Sequence, residues 1–264
     1  MQKFAYEAIH MTHTSSQKIE DLLVMEAALQ IDINGEPYTV VMRTPGHDNE
    51  LIRGLLYAED IYKNKEELSL EHIETKENGF SIVNATIPTD KLGKGYLNKR
   101  TLLSVSSCGI CGKQELGDIE LSGDALQNSS ALKMSSIKDL YQKMKFEQLL
   151  FQSTGGSHAT AAFDVNGDLL SIKEDIGRHN ALDKVVGDLL VMKKLKSVSC
   201  ILVSGRVSYE IVSKAFIAQI PIIVAVSACS SLAVDFAKEF GICLIGFSRD
   251  DKATIYANPQ YIKA

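Results

Sequence analysis

The last third of the chain narrows most sharply what it can fold into. Three short apolar runs recur there: Ile201-Leu-Val, Ile222-Ile-Val-Ala-Val and Ile242-Cys-Leu-Ile. Each reads as a strand covered on both faces. Helix-length patterns separate them, one through Ile211, Ala215 and Phe216 and one through Leu232, Phe236 and Phe240. Strands alternating with helices in this way predict an α/β unit, a largely parallel sheet with helices on its faces. Pro221 stands just ahead of its strand, where a missing N–H does least harm. Upstream, Ala159-Thr-Ala-Ala-Phe, Asn166-Gly167 and Leu169-Leu-Ser-Ile read as strand, turn and strand. A helical pattern then carries Leu182, Val185, Val186, Leu189, Leu190 and Met192.

The first half reads differently. Residues 1–20 are polar, and His10 and His13 fit a loose tail better than a metal site. Residues 21–33, Asn34-Gly35 and Pro37-Tyr-Thr-Val-Val-Met predict a hairpin, and 68–87 predict a second with Asn78-Gly79 at its turn. Between them Asp48 is positioned to cap a helix with Leu51, Leu55 and Leu56 on its apolar stripe. Gly117, Gly123 and a Ser-Ser pair interrupt the weak pattern of 112–136, and the domain boundary is expected near 125. That gives a smaller β-rich domain at 1–125 and an α/β domain at 126–264. Ser136 to Gln152 predicts one helix, with Ser136 and Asp139 as a capping box and Ile137, Leu140, Met144, Leu149 and Phe151 buried.

The chain has 264 residues, 28 basic against 33 acidic, a net of −5. That balance argues against general nucleic-acid binding and against a polybasic membrane contact. No signal sequence and no membrane-length apolar run is visible. Five cysteines without framework spacing fit a reducing compartment, so a cytoplasmic protein is expected.

Only Cys108 and Cys111 stand at short spacing. A glycine follows each, which lets the backbone turn and leaves the sulfurs accessible. Lys113 favours the thiolate. Such a pair can be a redox couple, half of a zinc site, a sulfur carrier or an accident. Structural zinc needs four ligands, and no second CxxC exists. Cys200, Cys229 and Cys243 sit in apolar surroundings and read as small buried hydrophobes. His72-Ile-Glu74 with the later CxxC superficially matches the zinc deaminase pattern. Ser107 stands where proline is expected, however, and alternation puts His72 and Glu74 on one strand face.

Ligands of an α/β sheet bind outside the carboxyl ends of its strands. Those ends are followed by Ser204-Gly-Arg-Val-Ser, Ser227-Ala-Cys-Ser-Ser and Gly246-Phe-Ser-Arg-Asp-Asp-Lys. Gly and Ser permit close backbone approach, helix N-termini offer free N–H groups, and Arg206, Arg249 and Lys252 add charge. Each segment alone fits ordinary capping. All three on one edge point to an anionic ligand. Neither a Walker loop nor GxGxxG is present. His158, Arg178 and His179 can face the same cleft, although a helix-start histidine is as readily satisfied by its neighbours.

Together, Ser107-Cys-Gly-Ile-Cys-Gly, Thr154-Gly-Gly-Ser-His-Ala, Glu174-Asp-Ile-Gly-Arg-His-Asn-Ala-Leu-Asp-Lys, Ser204-Gly-Arg-Val-Ser-Tyr-Glu and Gly246-Phe-Ser-Arg resemble the formate dehydrogenase accessory family FdhD, in order, from about residue 20 to the C-terminus. The resemblance implies a sulfurtransferase that takes sulfur from a cysteine desulfurase as a cysteine persulfide. It passes the sulfur to the molybdenum or tungsten bis(guanine dinucleotide) cofactor that formate dehydrogenase requires. It implies Cys108 as the carrier, Cys111 as its helper, and a cofactor segment on Phe247, Ser248, Arg249, Asp250, Asp251 and Lys252. Ser204, Gly205, Arg206 and Ser227 join that segment from the strand-end reading, with GDP as an analogue. A cytidine-deaminase-like larger domain without its zinc site and a homodimer are implied too. A thiol-disulfide oxidoreductase and a cofactor chaperone without sulfur chemistry remain alternatives.

Overall fold

The computed structural model describes residues 2–64, 66–97, 123–127, 131–249 and 252–263. Cys108, Cys111, Asp250 and Asp251 lie outside them.

Strands β1 (Lys3–Met11) and β2 (Ser16–Val24) form an antiparallel ribbon. This corrects the loose tail expected for 1–20. The missed signal is the alternation of Phe4, Tyr6 and Ala8, which places Phe4 opposite Leu23 and Ala8 opposite Ile19. His10 sits on β1, and His13 in the turn that follows it.

β3 (Ala27–Ile33) and β4 (Glu36–Arg43) make the expected hairpin. Asn34 and Gly35 both take positive φ (53° and 83°), the pair a tight two-residue turn requires. Helix α1 (Asp48–Ala58) follows, then the antiparallel pair β5 (Ser69–Thr75) and β6 (Ser81–Thr86). The sheet order is β4-β3-β6-β5, with β3 parallel to β6. Strict alternation on β3 buries Ala27, Leu29, Ile31 and Ile33 completely. The last three share a core with Leu51, Ile52, Leu55 and Leu56 of α1. Burying each such side chain is worth about 1.5–3 kcal/mol, which outweighs any local propensity. Asp48 does not cap α1; His47 is the N-cap residue, and Asp48 pairs with the buried Arg43 at 2.7 Å.

The larger sheet is built from β8 (His158–Phe163), β9 (Leu169–Asp175), β10 (Cys200–Val203), β11 (Ile222–Ala225), β12 (Cys243–Arg249) and β13 (Lys252–Ala257). Its order is β13-β12-β11-β10-β8-β9. Only β10, β11 and β12 run parallel. The expectation of a largely parallel sheet is corrected to a mixed one: β8, β9 and β13 each pair antiparallel. Short links decide two of these pairings. Two residues join β12 to β13 and a short turn at Asn166-Gly167 joins β8 to β9, and such links permit only antiparallel return.

Helices α4 (Arg178–Val191), α5 (Tyr209–Ile217) and α6 (Ser231–Glu239) cover one face. Ile201 and Val203 of β10 pack with Leu182, Val185, Ile211, Ala215, Ala233 and Ala237 there. Cys200 and Leu202 face the other way, against Ile137, Leu140 and Met144 of α2 (Ser136–Glu147). Both faces of the central strands are thus dry, which is why their sequences are unbroken apolar runs. The long helix expected over 136–152 breaks at Gln148, and α3 (Leu149–Thr154) follows as a separate short helix. Leu149 and Phe151 are consequently exposed, at 67% and 46%. The capping box does not form either: Ser135 is the N-cap residue, and the Ser136 hydroxyl donates to the Lys133 carbonyl. The short β7 (Leu132–Lys133) pairs with β14 (Ile262–Lys263).

The N-terminal sheet joins this body through α1 crossing α4. A Cβ on Gly54 would stand 1.9 Å from the Asp183 carbonyl oxygen, and one on Gly187 would stand 1.8 Å from that of Glu50. Backbone meets backbone here, so neither position has room for a methyl. Gly54→Ala is expected to lower stability by about 1–3 kcal/mol through forced separation of the helices. A urea midpoint equal to wild type would show that they slide apart freely.

Candidate functional site

Parallel strands β10, β11 and β12 end at one edge, and the three predicted loops meet there. Val207 of the first forms a β-bridge with Cys229 of the second. The Val207 N–H donates to the Ala228 carbonyl and the Ser230 N–H to that of Val207, both at 3.0 Å. The third loop joins through the Phe247 N–H, which donates to the Ser227 carbonyl at 3.0 Å. Gly246 allows that approach, since a Cβ on it would sit 3.0 Å from the Cys229 sulfur and 2.9 Å from the Tyr256 ring.

Ser204, Gly205, Arg206, Ser227, Phe247, Ser248 and Arg249 therefore share one edge. Phe247 takes a left-handed φ of 51° and presents its ring to solvent, 52% exposed. A non-glycine residue in that conformation is uncommon and worth notice. Arg249 is exposed and anchored by its Nε, which donates to the Val226 carbonyl at 3.2 Å. It pairs across the ladder with Lys252 on β13. Ser248, by contrast, is buried, so its side chain belongs to the core side of this segment.

His158 enters from β8, whose antiparallel course brings its first residue beside the carboxyl end of β10. Burial holds its pKa below the usual histidine value, and the nearby charges of Arg178 and Arg206 push the same way against the weaker pull of Asp175. Asp175 is engaged elsewhere. Fully buried, its carboxylate accepts from the backbone N–H groups of Thr44 (3.0 Å) and Gly177 (2.8 Å), from the Asn180 amide (2.9 Å) and from Lys184 (2.7 Å).

His179 turns away from the edge. Its Nε2 lies 3.2 Å from the Ser208 hydroxyl and its Nδ1 3.3 Å from the Glu210 carboxylate. Of the Arg178-His179 pair, only Arg178 remains at the cleft. Of the deaminase-like pattern, His72 and Glu74 are separated by a bulge on β5, and His72 contacts Asn49 at 2.8 Å. Among the described residues no cluster of His, Cys, Asp and Glu could hold a metal. Cys200 and Cys243 are buried, and burial pushes their thiols up to about 12. Cys229 is only half-buried, a correction to its expected place in the core, and its thiol is pushed up to about 11. None of the three is a ready thiolate.

The buried Asp175–Lys184 pair escaped the sequence reading. Its only signal was a charge inside the apolar stripe of α4, and charged residues there ordinarily face solvent. A cavity of about 770 Å³ opens at the opposite edge of the sheet, lined by Ser199 and Pro221 with Asp124, Asp164 and Lys196. It lies at the amino ends of β10 and β11, away from the strand-end donors, so the ligand argument stays at the carboxyl edge.

This is a mixed α/β protein whose strand-end loops gather cationic side chains and backbone donors on one edge. The sequence matches the FdhD/NarQ family over residues 24–263, and the chain belongs to that family. It is 40% identical to the sulfur carrier protein FdhD of Sulfolobus acidocaldarius, covering 92% of each chain. It is 36% identical to the protein of that description from Mycolicibacterium paratuberculosis, covering 96% of each. A crystal structure of a Desulfotalea psychrophila protein, assigned as a formate dehydrogenase accessory protein, shares the fold with a TM-score of 0.77 over both full lengths at 23% identity. No helix among the described residues is long and apolar enough to cross a membrane.

Proposed function

We propose that this chain is a sulfurtransferase that carries sulfur on Cys108 to a molybdenum or tungsten bis(guanine dinucleotide) cofactor, for use by formate dehydrogenase. The observation that carries the reading is the meeting of the Ser204, Ser227 and Phe247 loops at one donor-rich edge. The relatives' description as sulfur carriers supports the thiol half of it. The Cys108 thiolate attacks the terminal sulfur of a desulfurase persulfide; the new S–S bond forms on Cys108 and the desulfurase leaves as a thiolate. Cys111 then attacks the inner sulfur of that persulfide. The terminal sulfur departs as hydrosulfide toward the metal, and the resulting Cys108–Cys111 disulfide is reopened by a dithiol reductant. The cofactor is substrate here. Its guanine nucleotide lies against Phe247, with phosphates at Arg249, Lys252 and the backbone N–H groups beside Ser227, and Asp250 and Asp251 belong to the same cofactor segment. The same reading takes the larger sheet as cytidine-deaminase-like, the two domains as divided near residue 125, and the working form as a cytoplasmic homodimer.

Incubation with a cysteine desulfurase and cysteine, followed by peptide mass spectrometry, tests the sulfur step. The CxxC peptide is expected to gain the mass of one sulfur. A loss of two hydrogens instead would make the protein a thiol-disulfide oxidoreductase, and no change would make it a chaperone for the cofactor. The nucleotide step is tested by calorimetric titration of GDP. Charge-assisted hydrogen bonds are worth roughly 1.5–3 kcal/mol, so Arg249→Ala is expected to weaken binding about tenfold or more. Equal affinity in the variant would remove this arginine from the site.

A further inference from the structure

His158, Arg178 and Gly205 come from three separate elements and meet at the β8–β10 side of the carboxyl edge. A Cβ on Gly205 would stand 3.2 Å from His158 Nδ1 and 3.5 Å from the Arg178 Cβ. The bare glycine thus leaves open the space between an imidazole and an arginine. Arg206 follows at once, exposed to solvent. Neither arginine has an ion-pair partner among the described residues, and the Nε of Arg178 is buried without a hydrogen-bond partner. The nearby acid cannot compensate, because the Asp175 carboxylate is saturated by two backbone N–H groups, Asn180 and Lys184. Ser204 precedes Gly205 in the same loop. Its Oγ accepts from the Ala159 N–H at 2.9 Å, which leaves its own O–H without an acceptor among the described residues. Burying a guanidinium nitrogen with no partner is costly, and clustering like charges adds to the cost. A site with several donors, net positive charge and no free carboxylate is one that an anion completes.

We propose that His158, Arg178, Arg206 and the Ser204 hydroxyl form a second anion subsite, which would take the anionic, metal-bearing end of the cofactor rather than its nucleotide phosphates, with molybdate as its probe. This rests on the cofactor reading above. The two subsites are distinct in the sheet. Three strand spacings separate β12, which carries Phe247 and Arg249, from β8, which carries His158, or about 14 Å. That span suits two ends of one elongated ligand better than adjacent phosphates of one nucleotide. Burial and the neighbouring Arg178 and Arg206 charges disfavour the protonated form of His158, so the two guanidinium groups supply the charge and the imidazole a polar rim.

Calorimetric titration of sodium molybdate into the full chain, alone and with saturating GDP, tests the subsite. Saturable binding of one molybdate per chain is expected, unchanged by GDP. Arg206→Gln is expected to weaken molybdate about tenfold or more. Arg206 is exposed and makes no ion pair among the described residues, so its loss leaves the fold intact; Arg178→Gln, checked by its thermal midpoint, gives an independent second reading. Absence of saturable molybdate binding overturns the proposal. Competition between molybdate and GDP overturns it too, by placing the oxyanion in the nucleotide's phosphate site. Molybdate binding without GDP binding supports this subsite and sinks the nucleotide reading.

Discussion

Cys108→Ala is expected to abolish maturation of formate dehydrogenase while leaving the protein folded. The argument is chemical first. A persulfide needs a thiolate that can reach the donor, and the other candidates are poor nucleophiles. Burial raises the thiols of Cys200 and Cys243 to about 12 and that of Cys229 to about 11, so hardly any of these ionises at neutral pH. Cys108 and Cys111, each followed by glycine and close to Lys113, are left as the reactive pair. Cys111→Ala is expected to slow maturation without ending it, because hydrosulfide can still leave when another thiol attacks the inner sulfur. Formate dehydrogenase activity in cells carrying each variant as their only copy is the measurement. Normal activity with Cys108→Ala would transfer the carrier role to another residue.

Lys184→Met is expected to destabilise the protein by about 3–5 kcal/mol, the usual cost of leaving one charge of a buried pair alone. Lys184 and Asp175 are both fully buried, 2.7 Å apart. Lys184 also donates to the Thr44 carbonyl at 2.8 Å, while the Thr44 N–H donates to Asp175. The Ile176 N–H donates back to the Thr44 hydroxyl, and Asn180 donates to the Met42 carbonyl. This network ties the end of β4 to the start of α4, so the loss reaches both sheets. Removing the partner as well, in Asp175→Asn with Lys184→Met, is expected to recover part of the stability. Urea unfolding of the three proteins decides it. A single-variant loss under about 1 kcal/mol would mean that water reaches the orphaned carboxylate.

The sequence by itself determined the elements whose signal is local. Unbroken apolar runs marked β10, β11 and β12 because both faces of those strands are dry. Asn34-Gly35 marked a hairpin because few other residue pairs take positive φ together, and Asn166-Gly167 marked a turn through the positive φ of Gly167 alone. The strand-end loops were legible because chain order alone puts the carboxyl ends of parallel strands on one edge. Tertiary structure decided everything that depends on what an element packs against. The ribbon of β1 and β2 was hidden because its mixed polar alternation resembles a tail. The break at Gln148 was hidden because the apolar spacing of 136–152 continues through it. The antiparallel return of β13 followed from a two-residue link at 250–251, and that of β9 from the turn at Asn166-Gly167, not from any strand's composition. His158, Arg178 and Arg206 lie 20 and 28 residues apart in sequence. Only an antiparallel strand beside a parallel one brings their charges together, and no spacing rule along the chain encodes that meeting.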